Sequence, residues 1–152
     1  MKYQENEIFT VTCNSDPCEE KTQFRIKSPN FRDLEESNDC AGGVTAFGLR
    51  VAQKQSEFEE KIKNKKIPEN SVLELDDEEQ KAIYVLSKWV RDRNTAIVLK
   101  CLVGADDLVF KDHKEVEKYL LNISPSNCVR DVIDELANKI FELSNGLKKK
   151  ND

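Results

Sequence analysis

The sequence predicts an α+β fold that is mostly helical, with an N-terminal β-hairpin followed by five or six helices. Two observations predict this class. Residues 22–27 alternate between polar and apolar side chains, which is typical of a strand with one buried face. Later stretches repeat apolar residues at helical spacing, and several of them begin with residues that cap helices. With 152 residues in all, we expect one globular domain over residues 1–147 and a basic tail over 148–152.

The hairpin is predicted over about residues 7–27. Residues 7–13 are rich in β-branched and aromatic side chains, and Phe24 and Ile26 would share the buried face of the second strand. The stretch 14–17 contains Asn, Asp and Pro and is typical of a turn. Because two strands alone are marginally stable, we expect the hairpin to pack on the rest of the chain or to pair with a partner.

The helical part is predicted over about residues 30–147. Asn30 is expected to cap a short helix whose inward residues are Phe31 and Leu34. After a bend at residues 41–43, a second helix would bury a narrow apolar stripe. That stripe consists of Val44, Phe47, Val51, Phe58 and Ile62.

The third helix has a clear start in a capping box formed by Asp76 and Glu79, and residues 91–94 are expected to end it. The segment 95–103 is apolar on nearly all sides, so periodicity alone allows a central strand or a buried helix. We favour the helix, because no second long strand is evident that would form a sheet with it. Residues 104–107 are then expected to form a turn.

Two further helices complete the prediction. Asp112 and Glu115 indicate a capping box for a short helix. The last helix is expected to begin with Ser124 as its cap and Pro125 at its first position, and to end at Gly146. One apolar face of this helix is formed by Val129, Val132, Ile133, Leu136, Ile140 and Leu143.

Charge and hydropathy exclude several classes of protein. The formal net charge is −5, and the basic runs 61–66 and 148–150 are short, so we expect no nucleic-acid partner. The chain contains no apolar run of about 18 residues, so we expect no membrane span. Residues 1–7 lack the apolar stretch of a signal peptide, and we therefore expect a cytoplasmic protein.

The cysteines are five in number, and without a secretory signal we expect them to be reduced. A zinc site would need four ligands, for which Cys13, Cys18, Cys40 and the single histidine, His113, are the candidates. Their spacing is unlike that of a zinc finger. We therefore expect no metal, no cofactor and no catalytic residues, with a thiol- or metal-dependent enzyme as an alternative.

Two stretches resemble one family of proteins. Residues 22–36 contain a strand with the pattern Phe-x-Ile-Lys, then Pro29, then an acidic helix. Residues 123–147 contain a Pro-led helix that ends in Glu-Leu-Ser-Asn-Gly, with Asn145 standing before Gly146. Both are similar to the opening and the closing helix of tail-assembly chaperones of long-tailed bacteriophages. Together they cover about a quarter of the chain.

The resemblance implies a non-enzymatic cytoplasmic protein, acting in the host cell, that binds the tape-measure protein or another tail protein until the tail tube polymerises. It carries no catalytic residues over to this chain. We expect the partner to bind the apolar face of the last helix, namely Val129, Val132, Ile133, Leu136 and Ile140. The alternative to a chaperone is a structural subunit of a viral particle, in the baseplate or the tail. A homo-oligomer is compatible with both, and a structural subunit would pair the exposed edge of the hairpin with a neighbour.

Overall fold

The structure is a computed structural model that describes residues 7–39 and 45–149. In these two ranges the chain forms five α-helices, one short 3-10 helix and four β-strands. The fold is therefore α+β and mostly helical, with its N-terminal strands first, as the sequence predicts.

The chain divides into two compact units, whereas the sequence analysis treats residues 1–147 as one domain. The first unit contains residues 1–39 and 92–152, and the second contains residues 40–91. The second is thus inserted into the sequence of the first.

The strands of the first unit are β1 (Ile8–Val11), β2 (Phe24–Lys27), β3 (Leu102–Ala105) and β4 (Leu108–Val109). They form an antiparallel sheet in the order β1-β2-β3-β4. The predicted hairpin is confirmed, since Ile8 pairs with Lys27 and Val11 with Phe24. On its other side, β2 pairs with β3, and the register shifts between Arg25 and Ile26.

The segment 95–103 is both helix and strand, so the prediction of a helix throughout was wrong at its end. The third helix continues to Cys101, and Leu102 then begins β3. The predicted turn at residues 104–107 is shorter, because Gly104 and Ala105 still belong to the strand. The two further strands of this sheet, β3 and β4, were not predicted because they are too short to show a period of two.

The helices have the following bounds: α1, Phe31–Asn38; α2, Ala46–Lys63; α3, Asp77–Cys101; α4, His113–Leu121; and α5, Val129–Lys149. The predicted end of the third helix at residues 91–94 was wrong, because α3 passes through them without a break. These residues include neither glycine nor proline. Asn94 is buried, and its side chain donates to Asp134 at 3.1 Å and does not end the helix.

The predicted helix starts at Asn30, Asp76 and Asp112 are confirmed. Asn30 and Asp33 form a reciprocal capping box. Asp76 accepts from the backbone N–H of Glu79 at 2.8 Å, and Asp112 caps α4 through Glu115. The second helix begins later than predicted, with Thr45 as its cap, and its expected bend at residues 41–43 and Val44 lie outside the described residues.

Three details of the predicted helices differ in the structure. Phe31 was expected to point inward, but it is 79% exposed because it lies in the first turn of a short helix. Pro125 is extended and precedes a 3-10 turn at Ser126–Cys128, so α5 begins only at Val129. Gly146 does not end α5, which runs on to Lys149, and residues 150–152 of the expected tail lie outside the described part.

The core of the first unit lies where the sheet meets α4, α5 and the end of α3. Its fully buried side chains include Phe24 and Ile26 from β2, Ile97 from α3, and Leu136 and Ile140 from α5. The T-shaped contact between Phe24 and Tyr119, with ring centroids 6.4 Å apart, joins the sheet to α4.

The second unit consists of α2, the first part of α3 and the connection between them. In residues 45–91 the structure buries only Gly48 and Val51. A Cβ added at Gly48 would lie 3.7 Å from the carbonyl oxygen of Ala82, so α2 and α3 approach each other closely at this glycine. The other apolar side chains of this range are half-buried or exposed.

Candidate functional site

The face of α5 that the sequence analysis assigned to a partner lies in the core of the first unit. Val132, Leu136 and Ile140 are at most 1% exposed, Ile133 is 7% exposed, and Val129 is half-buried against the same core. In the folded chain this face packs on the protein's own side chains. It is therefore unavailable as a docking surface, and the residues predicted to bind a partner belong to the core instead.

A long, ordered loop over residues 12–23 connects β1 to β2. Hairpin connections usually need only about two to five residues, so the additional length calls for its own stabilising contacts. Two carboxylates supply them. Glu135 of α5 accepts hydrogen bonds from the backbone N–H groups of Asn14 and Ser15 at 2.7 and 3.1 Å, and from the Ser15 hydroxyl at 3.0 Å.

Asp16 organises the interior of this loop. It is 6% exposed, and its carboxylate accepts from the backbone N–H groups of Cys18 at 3.1 Å and Thr22 at 2.7 Å. The ammonium group of Lys21 donates hydrogen bonds to the carbonyl oxygens of Asn14 and Asp16. Burial acts to raise the pKa of Asp16, but the hydrogen bonds outweigh it, so that this pKa is lowered and the carboxyl stays ionised at neutral pH.

A cavity of about 370 Å³ lies beside this loop in the first unit. Its lining combines loop residues with residues of β2, α4, the segment after α4, and α5. Those residues are Asp16, Pro17, Cys18, Thr22, Phe24, Tyr119, Asn122, Ile123, Ser124 and Val132. Its volume falls within the range of about 300–1,000 Å³ found for small-molecule pockets.

The thiols of Cys13, Cys18 and Cys101 do not have the character of catalytic nucleophiles. A nucleophilic cysteine needs a lowered pKa so that it ionises at neutral pH. Burial raises the pKa of Cys13 and of Cys101 to about 12. Cys18 is exposed, but its contact with the Asp16 carboxylate also raises its pKa.

The zinc candidates cannot be compared as a set, because Cys40 lies outside the described residues. His113 is exposed at the start of α4. Across residues 7–39 and 45–149, no three or more His, Cys, Asp or Glu side chains lie close enough together to hold a metal ion.

The second unit presents an apolar surface that the sequence analysis did not single out. A groove of about 230 Å³ is lined by Thr45 and Gly48 of α2 and its cap, and by Lys81, Ala82, Val85 and Leu86 of α3. Residues next to these in sequence are exposed, including Phe47 at 39%, Leu49 at 53% and Tyr84 at 64%. We call this groove and these three residues the α2–α3 surface.

One residue of this surface, Phe47, was noted in the sequence, but it was predicted to be buried. Phe47 was assigned to a buried stripe together with Val51 and Phe58. Only Val51 is buried, because the partner helix α3 covers a narrow strip of α2. Apolar residues at helical spacing indicate that a face is amphipathic, and they do not indicate whether the chain or a partner covers it.

Comparison with known proteins gives no relative for this chain, since no protein-family model, curated protein or solved structure matches it significantly. A further observation concerns membranes. None of the helices in the described ranges is both long enough and apolar enough to serve as a membrane span.

Proposed function

We propose that this protein is a non-enzymatic, protein-binding assembly factor, and that it acts in the cytoplasm of a host cell as a bacteriophage tail-assembly chaperone. Its partner would be the tape-measure protein. The observation that supports this proposal best is the α2–α3 surface, where two helices line a groove and also leave Phe47, Leu49 and Tyr84 exposed.

The groove favours an amphipathic helix as its occupant. Two helices that pack side by side leave a groove along their contact line, and a third helix can lay its apolar ridge into it. The two helices approach each other closely at Gly48, which lines this groove together with Ala82. A long, mostly helical client such as a tape-measure protein offers apolar helix faces repeatedly along its length.

The resemblance at residues 22–36 adds to this proposal. In the structure, β2 ends at Lys27 and is followed by Pro29 and by the acidic helix α1, which is the arrangement that the resemblance implies. The raised pKa values of Cys13, Cys18 and Cys101 fit a role in which these thiols are not nucleophiles.

The test begins with the reading frames next to this gene, where we expect one that encodes a long coiled coil; its product is co-expressed with this chain, and the complex is purified. We expect the two proteins to purify together, and we expect Leu49→Asp to abolish co-purification. Ser56→Asp is the matched control, because it places the same charge at an exposed polar position of the same helix. Equal co-purification of both variants, or none with the original chain, would count against the proposal.

A structural subunit of a viral particle is the second candidate, and the exposed edge of the sheet favours it. β1 is an outer strand, and its first residue, Ile8, is 57% exposed. Such an edge can pair with a strand of a neighbouring copy. Size-exclusion chromatography separates the candidates, since a structural subunit should self-associate at micromolar concentration and a chaperone should stay small until its client is added.

A further inference from the structure

Neither candidate function uses the cavity beside the loop 12–23. The loop that forms part of its wall is held in place by defined hydrogen bonds. A connection of this length between neighbouring strands is not needed to form the sheet. It is nevertheless held near its start by Glu135, which accepts from Asn14 and Ser15, and Asp16 joins its start to Thr22 near its end. Binding residues are frequently found on long surface loops that a rigid scaffold holds in position.

We propose that this cavity is a binding site for a small, mostly apolar molecule that is neutral or positively charged and carries a hydrogen-bond donor. This inference goes beyond the proposed function and does not depend on it. The apolar part of the ligand would contact Phe24, Val132 and Ile123, two of which are fully buried core residues and therefore form a rigid floor.

The charge of the ligand follows from the polar groups at the cavity. Asp16 is an ionised carboxylate that is more than nine-tenths buried, and it already accepts two backbone N–H groups. Lys21 does not line the cavity, and its ammonium is bound to carbonyl oxygens. Asp106 adds negative potential at Tyr119 and at Cys18. An anion would therefore be repelled, whereas a donor group or a cation would be attracted.

The walls of the cavity are also preorganised for binding. Phe24 and Tyr119 hold each other in an edge contact, and Phe110 packs on Tyr119 with ring centroids 5.3 Å apart. Together with the clamped loop, these contacts fix the walls of the cavity. A ligand that enters it therefore orders few side chains, which reduces the entropic cost of binding.

The test uses three probes with one ring system and different charges: tryptamine, 3-methylindole and indole-3-acetate. Each is titrated into the isotope-labelled full chain, and amide NMR shifts are followed. We expect tryptamine and 3-methylindole to give saturable shifts at Cys18, Thr22, Asn122 and Ser124, with dissociation constants below about 1 mM. We expect indole-3-acetate to bind at least about tenfold more weakly, because its carboxylate faces Asp16.

Two tryptophan variants locate the site. Ser124→Trp places a large side chain at the cavity, and Ser126→Trp places the same side chain two residues further on, outside it. We expect binding to be lost in the first variant and kept in the second. Binding of all three probes with equal affinity, no saturable shift with any probe, or unchanged binding to Ser124→Trp would overturn the proposal.

A chemical measurement covers the case in which Ser124→Trp fails to fold. Cys18 lies at the cavity and is exposed, and Cys128 is a half-buried thiol outside it. Alkylation by iodoacetamide is followed for each residue by mass spectrometry. Saturating tryptamine should slow alkylation of Cys18 at least about threefold and leave that of Cys128 unchanged. An equal effect on both thiols, or none on Cys18, would also overturn the proposal.

Discussion

Glu135 on α5 accepts a hydrogen bond of 2.7 Å from the backbone N–H of Asn14, which lies 121 positions earlier in the chain. Two bonds from Ser15 complete the contact. One carboxylate thereby attaches the loop 12–23 to the last helix. The buried thiol of Cys13 lies beside it, and Glu135 contributes to the raised pKa of that thiol.

Glu135→Gln should destabilise the protein by about 1–2 kcal/mol, because a charged acceptor is replaced by an amide whose NH₂ group faces the backbone donors. The measurement is the free energy of unfolding from urea titration. Glu142→Gln is the control, since Glu142 is an exposed residue of the same helix. Equal stability of the Glu135→Gln chain and the original chain would show that the loop does not depend on this carboxylate.

The same contact predicts that the stability of the fold depends on pH in the acid range. Burial acts to raise the pKa of Glu135, but the hydrogen bonds from Ser15 and Asn14 outweigh it, so this pKa lies below its ordinary value of 4.5. A carboxyl whose folded pKa is lowered stabilises the fold above its unfolded pKa and loses this contribution as the pH falls through the folded pKa. We therefore expect stability to decline below pH 4.5, and to decline less steeply in Glu135→Gln than in the original chain.

Gly104→Ala is expected to destabilise the fold. An added Cβ would lie 2.7 Å from the carbonyl oxygen of Leu108 and 2.8 Å from Cζ of Arg25, whose guanidinium donates to the carbonyl oxygens of Asp106 and Leu108. Because one of these neighbours is a backbone atom, the strand pair must shift. We expect the free energy of unfolding to fall by about 1–3 kcal/mol.

Gly48→Ala is the matched control for this glycine. Its Cβ would lie 3.1 Å from the hydroxyl oxygen of Thr45 and 3.7 Å from the backbone of Ala82. That crowding is milder, and alanine favours the helix by about 1 kcal/mol over glycine. The melting temperature should therefore fall clearly in Gly104→Ala and change little in Gly48→Ala. The reverse order would contradict the packing described for β3.

The sequence determined the local features of this fold and left the long-range ones undetermined. Asn30, Asp76 and Asp112 were identified as helix starts because a cap involves residues only three apart. The clamp between Glu135 and Asn14 could not be found in this way, since neither residue type at these positions signals the other. Gly104 looked like a turn residue, and only its contacts with Arg25 and the carbonyl oxygen of Leu108 across the sheet explain why it is a glycine.

Leu136 and Leu49 offer a direct comparison of core and surface. Leu136→Ala should cost about 2–5 kcal/mol, because it leaves a cavity among fully buried side chains of the first unit. Leu49→Ser should change the free energy of unfolding by about 0.5 kcal/mol or less, because Leu49 is 53% exposed. The measurement is the free energy of unfolding of both variants, obtained by urea titration. A small effect at Leu136 would reopen the α5 face as a docking surface.

The buried thiols predict a loss of stability in alkali. Burial raises the pKa of Cys101 from 9.0 to about 12, with Asp33 as a further cause, and it does the same for Cys13. A group whose folded pKa is raised contributes fully to stability below its unfolded pKa and loses that contribution as the pH rises through the folded pKa. We therefore expect stability to fall between about pH 9 and pH 12, by at most about 1.4 kcal/mol per pH unit for each thiol.

Cys101→Ala isolates this contribution from that of the lysines, which also titrate in alkali. The variant should be somewhat less stable at pH 7, because it leaves a small cavity beside Ile97 and Val98 in the core. Its stability should then fall less steeply between pH 9 and pH 11 than that of the original chain. Cys128→Ala, at a half-buried position, should parallel the original chain. Parallel pH profiles for all three proteins would mean that Cys101 ionises without unfolding, and that its thiol reaches water in the native state.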